Sequence, residues 1–529
     1  MYRLLSASKD TYITDKYIAG VRCSGSNVGQ AATIDLFKLY NETFVTLSAS
    51  VSGVIERSRG LIQFSFAPLM SLTASGKLNT SNASFQCLLS LKDIYGGQTT
   101  PSNFTLRLIP LSKSWDEGRG SDVIAFRDLD ASNFLTASIS NGTVNLWNQG
   151  GASASGTLGA VNIDVIPSGN LGSGLEDLTV SQVFSVGNED LLMDVTRLVS
   201  GTMAGWLPDC GWRLSFIDAQ ENDTATRFVK RFGTRHTQNK DLHPKLIVKY
   251  NDQMIDDTGE LEFNSAQNVF FYNTLNGAYT NFISGSSTIS GSNCALLRLI
   301  ASKSVSFTTS SFSVSHNATI SHLTRSMSVI TQSFSASQLQ IGGITQTGIY
   351  TSSLDINLAS NVSMSNFLSG ANEAEFRFEL LSPDGTYSFA NGYYLFKKPL
   401  AKTSNVPERN WVMNVTNLKD TYVQTEVARL RVFLQDYNAD LRPLRVPSKT
   451  HSSILRNLKW RLIQPFTKKI VIPFDSVGTL CSTDDDGMYF DCYFSDLDPG
   501  EVYEFEFMVT ENETDYYLNN GGFRFKVSR

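Results

Sequence analysis

Apolar and polar residues alternate with a period of two along most of this chain. The alternation is clear in residues 33–39, 212–216 and 523–527. A period of two places successive side chains on opposite faces of a β-strand. Such segments recur roughly every 8–15 residues, with Gly, Asn, Ser and Asp between them, as in sandwich folds. The pattern therefore predicts an all-β protein built from tandem antiparallel β-sandwiches.

The composition changes at two points and predicts three domains. An alternating strand ends at Tyr250, and the residues from Asp257 to about Leu400 are enriched in Ser and Thr. Residues 401–409 contain Pro407 and are typical of a linker. At 529 residues the chain is too long for one core. The predicted domains are a large jelly-roll-like sandwich at 1–252, a Ser/Thr-rich sandwich at 253–404, and an immunoglobulin-like sandwich at 405–529.

Two segments of the first domain depart from the strand pattern. Val195, Leu198 and Val199 follow the i, i+3, i+4 spacing of a helix, and Asp194 is suited to cap it. We therefore expect a short helix within residues 193–200 that packs on the sandwich. Residues 150–174 are rich in Gly, Ser and Ala, which predicts a long surface loop.

Charge and hydropathy narrow the classes of function. The formal net charge is −6, from 44 basic and 50 acidic residues, without the basic excess of a nucleic-acid-binding domain. The hydrophobic fraction of 41% is enough for packed cores. No stretch approaches the 18 consecutive apolar residues of a membrane-spanning helix. The first residues lack the apolar region of a signal peptide, so secretion by that route is not expected.

The cysteine spacing does not predict a zinc site, because no Cys-x-x-Cys pair occurs. Cys481 and Cys492 flank a turn and could face each other across a hairpin. The sequence leaves open whether these two form a disulfide. The six cysteines are Cys23, Cys87, Cys210, Cys294, Cys481 and Cys492.

Two groups of residues could carry chemistry in the first domain, and a plain interpretation is favoured for each. His236 and His243 could bind a metal with Asp241 as third ligand, but they are more simply turn or strand-end residues. Asp116 and Glu117 could act as a glycosidase acid and base. Because neighbours on a strand point to opposite faces, these two carboxylates are not expected to flank one bond.

Other charged runs are interpreted in the same way. Residues 484–487 (Asp-Asp-Asp-Gly) could bind calcium, but position twelve from Asp484 is Ser495 rather than the glutamate of an EF-hand loop. A solvated hairpin turn is favoured there. The basic residues in two short runs are expected to form solvated faces or partner contacts. They are Arg57, Arg59, Lys230, Arg231 and Arg235.

The chain also lacks the common catalytic motifs: Gly-x-Ser-x-Gly, the phosphate-binding Gly-x-x-x-x-Gly-Lys-Ser/Thr loop and His-Glu-x-x-His. The sequence thus predicts no catalytic residue, no metal ligand and no cofactor. We expect a protein that is not an enzyme.

Short motifs spread over residues 1–250 resemble the DNRLRE or disaggregatase-related β-sandwich family. The resemblance implies a module similar to a carbohydrate-binding module of some polysaccharide lyases and to stalk modules of microbial surface proteins. This copy, at about 250 residues, is longer than the family's usual form, which implies enlarged loops. The matching segments are 9–13, 27–29, 61–64, 115–118, 194–199, 211–214 and 244–248.

The whole chain resembles virion structural proteins of tailed bacteriophages in its all-β character, mild acidity and Ser/Thr/Asn/Gly-rich sandwiches. This resemblance implies a tail, neck, baseplate or capsid-associated component that assembles in the host cytoplasm and resides in the virion. Its expected partners are other virion proteins and copies of itself, without nucleic acid or membrane insertion. The alternative is a carbohydrate-binding or adhesin-type protein, such as a tail appendage that binds host-surface glycan. A polysaccharide-degrading enzyme is a third possibility, disfavoured by the lack of an acid/base pair.

Overall fold

A computed structural model describes residues 1–45, 50–94, 100–123, 128–171, 174–314, 318–399, 411–436, 452–511, 514–518 and 522–529. The predicted linker at 401–409, and with it the predicted boundary between residues 404 and 405, lies outside the described residues. Strands take up 51% of the chain and helices 7%. The predicted all-β class is confirmed, and almost all strand pairs are antiparallel.

The chain divides into two compact units. The first unit comprises Tyr2–Tyr250 with Ser495–Asp498, and the second comprises Met1, Asn251–Phe494 and Pro499–Arg529. The first boundary falls between Tyr250 and Asn251, two residues from the predicted end of the first domain. The further division of the second unit stays a prediction.

The first unit contains strands β1–β17 and three short α-helices. Their bounds in chain order are β1 Tyr2–Thr14, β2 Tyr17–Ile18, β3 Val21–Arg22, β4 Thr33–Val45, β5 Ser50–Phe64, α1 Ala67–Ala74, β6 Gln86–Leu91, β7 Phe104–Pro110, β8 Thr136–Ser140, β9 Thr143–Leu146, β10 Ser155–Thr157, β11 Val165–Asn170, β12 Leu175–Asp177, β13 Val180–Phe184, β14 Leu191–Asp194, α2 Thr196–Met203, β15 Trp212–Phe216, α3 Asp218–Glu221, β16 Arg227–Gly233 and β17 Lys245–Lys249.

Strand β1 joins two halves of the main sheet of this unit. Its first residues pair with β17, and its later residues pair with β5 after a register shift between Ala7 and Lys9. The strand order is β13-β7-β15-β5-β1-β17-β6-β14, and β4 pairs with both β5 and β16. Burial alternates along β17 as its sequence predicts, because Leu246 and Val248 are fully buried while their neighbours are half-buried. This arrangement brings the start of the chain beside the end of the unit.

The predicted short helix is present as α2, which begins at Thr196, three residues later than the predicted segment. Val195, Leu198 and Val199 are at most 1% exposed, as the spacing predicts. The cap position is Val195, without a side-chain cap hydrogen bond, so the prediction of Asp194 as the cap is wrong by one residue, although Asp194 Oδ1 accepts the Thr196 backbone N–H at 2.9 Å. The apolar spacing therefore identified both the helix and the face that packs.

Substituting Val199 with Asp is expected to lower the free energy of unfolding of the first unit by about 2–3 kcal/mol, because it buries a charge without a partner. Thermal unfolding of the full chain measures the effect. Leu192→Asp is the control, since Leu192 lies on the neighbouring strand β14 and is 54% exposed. Equal melting temperatures for the two variants would contradict the burial argument.

The prediction of a long surface loop at 150–174 is wrong. The segment contains β10 and β11, which join β12 in a three-stranded sheet. Ala152 and Val165 lie in a buried cluster with Trp115. The buried Asp164 carboxylate accepts backbone N–H groups of residues 148, 149 and 154 at 2.7–3.0 Å. Small residues here allow close packing around one buried acid, and composition alone does not reveal that.

The first part of the second unit is one seven-stranded sheet that curls on itself. Its order is β18-β28-β27-β24-β25-β26-β19, and only residues 263–265 connect the two edge strands β18 and β19. Phe271 on β19 contacts Phe378 on β27 with ring centroids 5.7 Å apart, so the edges fold over a shared core. The bounds are β18 Leu261–Glu262, β19 Ala266–Tyr272, β20 Thr274–Leu275, β21 Ala278–Tyr279, β22 Ile283–Ser284, β23 Ser287–Thr288, β24 Ala295–Val314, β25 Ala318–Ile341, β26 Ile344–Asp355, α4 Val362–Leu368, β27 Glu373–Leu381 and β28 Ser388–Lys397.

The last part of the second unit is a sandwich of two sheets, with orders β29-β31-β35-β34 and β30-β38-β36-β32-β33, and with β37 paired to β36. The sheets meet through aromatic side chains: Trp460 on β32 stacks on Phe490 of β35 with centroids 4.9 Å apart. The bounds are β29 Trp411–Val415, β30 Thr421–Val423, β31 Val427–Asp436, β32 Leu458–Ile463, β33 Ile470–Ile472, β34 Ser482–Asp484, β35 Gly487–Tyr493, β36 Val502–Glu511, β37 Thr514–Tyr517 and β38 Phe523–Ser528.

Candidate functional site

Two features of the structure are candidates for function: a buried polar cluster in the first unit and a long two-stranded ribbon in the second. The polar cluster, here called the Asp10 cluster, consists of Asp10, Glu117 and His236. Asp10 lies on β1, Glu117 follows β7, and His236 follows β16. One ligand atom from each residue lies within 4.8 Å of the other two. Among the described residues this is the one group of His, Cys, Asp or Glu side chains arranged so closely.

The loop that carries Glu117 is held in place by Asn27. The Asn27 amide donates to the Glu117 backbone oxygen at 2.8 Å and to the Ser132 oxygen at 2.7 Å. A Cβ atom on Gly29 would lie 2.0 Å from the same Glu117 oxygen, so glycine is required there. Segments 27–29 and 115–118, which carry part of the family resemblance, therefore act together to position one carboxylate.

Glu117 is the centre of the hydrogen bonding in the cluster. Its Oε1 accepts the Asp10 backbone N–H at 2.9 Å and the Arg235 Nε–H at 2.8 Å, and Arg235 Nη2 contacts Oε2. His236 Nε2 lies 3.3 Å from Oε1. Burial alone would raise the pKa of Glu117, but the hydrogen bonds from Arg235 and Asp10 outweigh it and bring the pKa below its ordinary value.

Asp10 differs from Glu117 because no cation of the described residues forms an ion pair with its side chain. Its Oδ2 accepts the Arg235 backbone N–H at 2.7 Å, while Oδ1 is buried and has no hydrogen-bond partner. Burial, together with the nearby Glu117 charge, raises the pKa of Asp10 to about 7. His236 Nε2 is likewise buried without a hydrogen bond. The cluster thus holds two buried polar atoms that lack hydrogen-bond partners.

The structure brings together different residues from those considered in the sequence. His236 joins Asp10 and Glu117, whereas His243 Nε2 lies 3.0 Å from the Thr237 oxygen and Asp241 is not part of the cluster. Asp116 is not paired with Glu117, since its Oδ2 accepts the Ile139 backbone N–H at 3.2 Å. No spacing in the sequence could reveal the cluster, because Asp10 and His236 are separated by more than 200 residues.

Arg59 and Lys230 are buried, so a solvated face is the wrong interpretation for these two. Arg57, Arg231 and Arg235 are partly exposed, and their contact with a partner protein stays a prediction. Each of the five pairs or hydrogen-bonds within the first unit. Arg59 is 5% exposed and binds Glu221 with an Nη2–Oε2 distance of 2.5 Å. The other contacts are Arg57 to Asn222, Lys230 to Asp93, Arg231 to Asp35 and Arg235 to Glu117.

Residues 484–487 form the turn of the β34–β35 hairpin, as favoured from the sequence. The Asp484 carboxylate is contacted by Arg431 Nη1 and accepts the Asp486 backbone N–H at 3.1 Å. Cys481 and Cys492 are both buried and are not joined by a disulfide. Burial raises the pKa of Cys481, so its thiol stays protonated.

The ribbon is the part of β24 and β25 that continues beyond their neighbours in the sheet. Strand β27 pairs with β24 as far as Ile300, and β26 pairs with β25 only from Ala336 onward. Residues 302–314 and 318–329, here called the ribbon, pair only with each other within the described part of the chain. At about 3.4 Å per residue this gives a length of about 45 Å. No strand of the described residues lies beside either edge of the ribbon, where backbone N–H and C=O groups face outward.

Lysine and arginine are the only formally charged residues in and around the ribbon. Residues 263–354, which include it, contain no Asp or Glu, while Arg298, Lys303 and Arg325 are basic. All 50 acidic residues of the chain therefore lie outside this segment. The ribbon is thus a Ser/Thr-rich element with basic but no acidic residues, in a chain whose formal net charge is −6.

No protein-family model and no curated protein matches this chain. Similar solved structures include the Ig1-2 module of Drosophila receptor protein tyrosine phosphatase DLAR, at 8% identity and TM-score 0.13, covering 53% of this chain and 95% of that chain. Escherichia coli alpha-2-macroglobulin is 9% identical with a TM-score of 0.13, and the match covers 98% of this chain and 35% of that chain. Porphyromonas gingivalis PorU is 10% identical with a TM-score of 0.15, and the match covers 94% of this chain and 34% of that chain. The chain spans about a third of the latter two. These scores are too low to support a shared fold or function.

No helix of the described residues is both long enough and apolar enough to cross a membrane. The resemblances to the DNRLRE family and to phage virion proteins stay predictions, as does the absence of enzymatic activity.

Proposed function

We propose that this chain is a non-enzymatic structural subunit of a bacteriophage virion, in the tail, neck, baseplate or capsid-associated parts, and that it assembles through the ribbon. The observation that supports the proposal is the unpaired length of β24 and β25. An isolated two-stranded hairpin is at best marginally stable in water. A ribbon of this length is therefore expected to gain its stability from a partner.

The partner that fits the ribbon is a second copy of this chain. Strand edges without neighbours accept a further strand through backbone hydrogen bonds. The ribbon segment has no acidic residue, and all 50 acidic residues of the chain lie outside residues 263–354, so a second copy offers groups of the opposite charge. Repetition of such a contact builds a closed ring or a filament, as a virion subunit requires.

Removing the ribbon is expected to abolish self-association and leave the rest of the chain folded. Ala301 pairs with Ile330, so residues 302–329 can be replaced by Asn-Gly to give a tight two-residue hairpin. Sedimentation velocity should show an oligomer for the unaltered chain and a monomer for the variant, with equal melting temperatures.

The matched control places Asn-Gly at residues 342–343, the turn of the neighbouring β25–β26 hairpin. Gly342 and Gly343 have φ of 58° and 81°, which Asn-Gly tolerates, so this variant should still associate. An unaltered chain that stays monomeric, or a ribbon-deleted chain that still associates, would contradict assembly through the ribbon. The virion role is tested separately by mass spectrometry of purified phage particles, where this chain must be present.

Glycan binding is the second candidate, favoured by the exposed face of β28. Tyr393 is 69% exposed and Leu395 is 46% exposed, and they lie two residues apart on the same face. Such a surface offers an apolar platform to a sugar ring. A glycan-array screen of the full chain tests this role independently of assembly.

A further inference from the structure

The Asp10 cluster contains two buried polar atoms that have no hydrogen-bond partner among the described residues. Asp10 Oδ1 and His236 Nε2 are both buried, and Asp10 as a whole is 0% exposed. A carboxylate oxygen and an imidazole nitrogen can each give a lone pair to a metal ion. One ligand atom from each of these residues lies within 4.8 Å of the other. A Lewis acid placed between them would satisfy both.

Glu117 supplies a third ligand at a suitable distance. His236 Nε2 and Glu117 Oε1 are 3.3 Å apart. Zinc binds His nitrogen and carboxylate oxygen at about 2.0–2.2 Å in a tetrahedral arrangement, which places neighbouring ligand atoms about 3.4 Å apart. Two of the three ligand atoms therefore already have the separation of a tetrahedral site, and the third lies within 4.8 Å of both.

Arg235 occupies the position where a cation would otherwise balance the charge. Its guanidinium pairs with Glu117, and its side chain is 36% exposed, so it can turn toward solvent. The Arg235 backbone N–H would still hold Asp10 Oδ2 and orient Oδ1, as outer hydrogen bonds orient metal-binding carboxylates. Guanidinium and metal ion thus compete for the same carboxylate.

We propose that Asp10, Glu117 and His236 bind one divalent first-row cation of the zinc type, which displaces the Arg235 side chain from Glu117. The cation would tie β1, the segment after β7 and the end of β16 to one another within the first unit. Its role is structural and is independent of the ribbon. The mixed nitrogen and oxygen donor set favours zinc over calcium or magnesium, which prefer oxygen ligands.

The test uses the full chain, stripped with EDTA and then titrated with ZnCl₂. Elemental analysis after gel filtration should find one zinc ion per chain, and the melting temperature should rise with zinc. Asp10→Asn and His236→Gln should each weaken zinc binding more than about tenfold. Arg235→Gln should bind zinc more tightly than the unaltered chain, because it removes the competing cation. A purely structural role of Arg235 would not produce that gain.

Two control variants, His243→Gln and Asp116→Asn, alter nearby residues outside the cluster and should leave zinc binding unchanged. Circular dichroism shows which variants are folded. If Asp10→Asn does not fold, the site is tested by the absorption of bound Co²⁺ in two other variants. Arg235→Gln should bind Co²⁺ more tightly than the unaltered chain, and His243→Gln should bind it equally. The proposal is overturned if the unaltered chain retains no zinc, if His236→Gln retains as much, or if His243→Gln loses it. Sedimentation without zinc tests the ribbon separately, so failure of one proposal does not imply failure of the other.

Discussion

Substituting Asp93 with Ala is expected to lower the free energy of unfolding of the first unit by about 3–5 kcal/mol, because it leaves a buried ammonium group without its carboxylate. Lys230 on β16 is 0% exposed. Its Nζ donates to Asp93 Oδ1 at 2.5 Å, to the Gly187 oxygen at 2.9 Å and to the Glu189 oxygen at 2.8 Å. All three ammonium hydrogens have acceptors, and Asp93 supplies the only formal charge among them.

The pH dependence of the Asp93→Ala variant follows from the same contacts. Burial lowers the pKa of Lys230 even with Asp93 present, and loss of the carboxylate lowers it further. A lysine with a depressed pKa in the folded state binds its proton more weakly than in the unfolded chain, so stability rises with pH. The loss of free energy of unfolding in the Asp93→Ala variant should therefore become smaller as the pH rises from 7 toward the ordinary lysine pKa of about 10.4.

Hydrogen exchange of peptides from β6 and β16 in the full chain measures this deficit without assuming two-state unfolding. Lys92→Ala is the matched control. Lys92 is the neighbour of Asp93 and pairs with Asp190 at 2.7 Å, but both side chains are 46% exposed. That exposed pair should contribute less than about 1 kcal/mol. Equal losses for the two variants would show that Lys230 is hydrated rather than buried.

Lys230 also illustrates where sequence reasoning fails. In the sequence it stands beside Arg231 and near Arg235, and such a run is typical of a solvated face. The partner that changes this interpretation, Asp93, is 137 residues away. A charge pattern reports on neighbours along the chain, while burial of a lysine depends on which strands the topology places together.

Local patterns succeeded where the cause is local. The helix around Leu198 and Val199 was predictable because its i, i+3, i+4 spacing is a property of eight successive residues. The strand at Lys245–Lys249 was predictable because its alternation of apolar and polar residues is complete within five residues. The Asp10 cluster draws on three distant segments, and the buried acid of residues 150–174 depends on backbone N–H groups that composition does not reveal.

The ribbon lies between these two cases. The ribbon lies within the predicted Ser/Thr-rich sandwich, and its residues form strands, as an all-β prediction requires. The sequence did not show that β24 and β25 extend beyond their neighbours, since that depends on where β26 and β27 stop pairing with them. The local sequence thus determines the length of a strand, while the pairing of its neighbouring strands determines how much of it is exposed.

The second large effect is expected in the second unit, where substituting Asp256 with Asn should raise the free energy of unfolding at neutral pH. Asp256 is 2% exposed, and burial is the main cause that raises its pKa to about 6. The nearby Asp485 charge raises the pKa further, and the Thr258 and Tyr272 hydrogen bonds oppose the shift. At pH 7 the folded protein therefore holds a buried carboxylate that its surroundings disfavour.

The sign of the pH dependence follows from linkage. The folded state binds the Asp256 proton more tightly than the unfolded chain, whose pKa is near 3.8. The free energy of unfolding accordingly falls as the pH rises from about 4 to about 6, by as much as about 3 kcal/mol, and is constant above that range with respect to this group. Asn carries no titrating proton, so the gain of the variant over the unaltered chain should grow across this same interval.

Asn also preserves the local geometry. Its oxygen can accept from the Thr258 backbone N–H, now at 3.0 Å from Asp256 Oδ1, and its Nδ2 can donate to the Tyr272 hydroxyl, now 3.4 Å from Oδ2. Urea unfolding of the full chain at pH 4.5, 6 and 7.5 measures the difference between the two proteins. Asp355→Asn is the control, since Asp355 is exposed at the end of β26. A stability difference for Asp256→Asn that does not change with pH, like that expected for the control, would mean that Asp256 is not buried as a disfavoured charge.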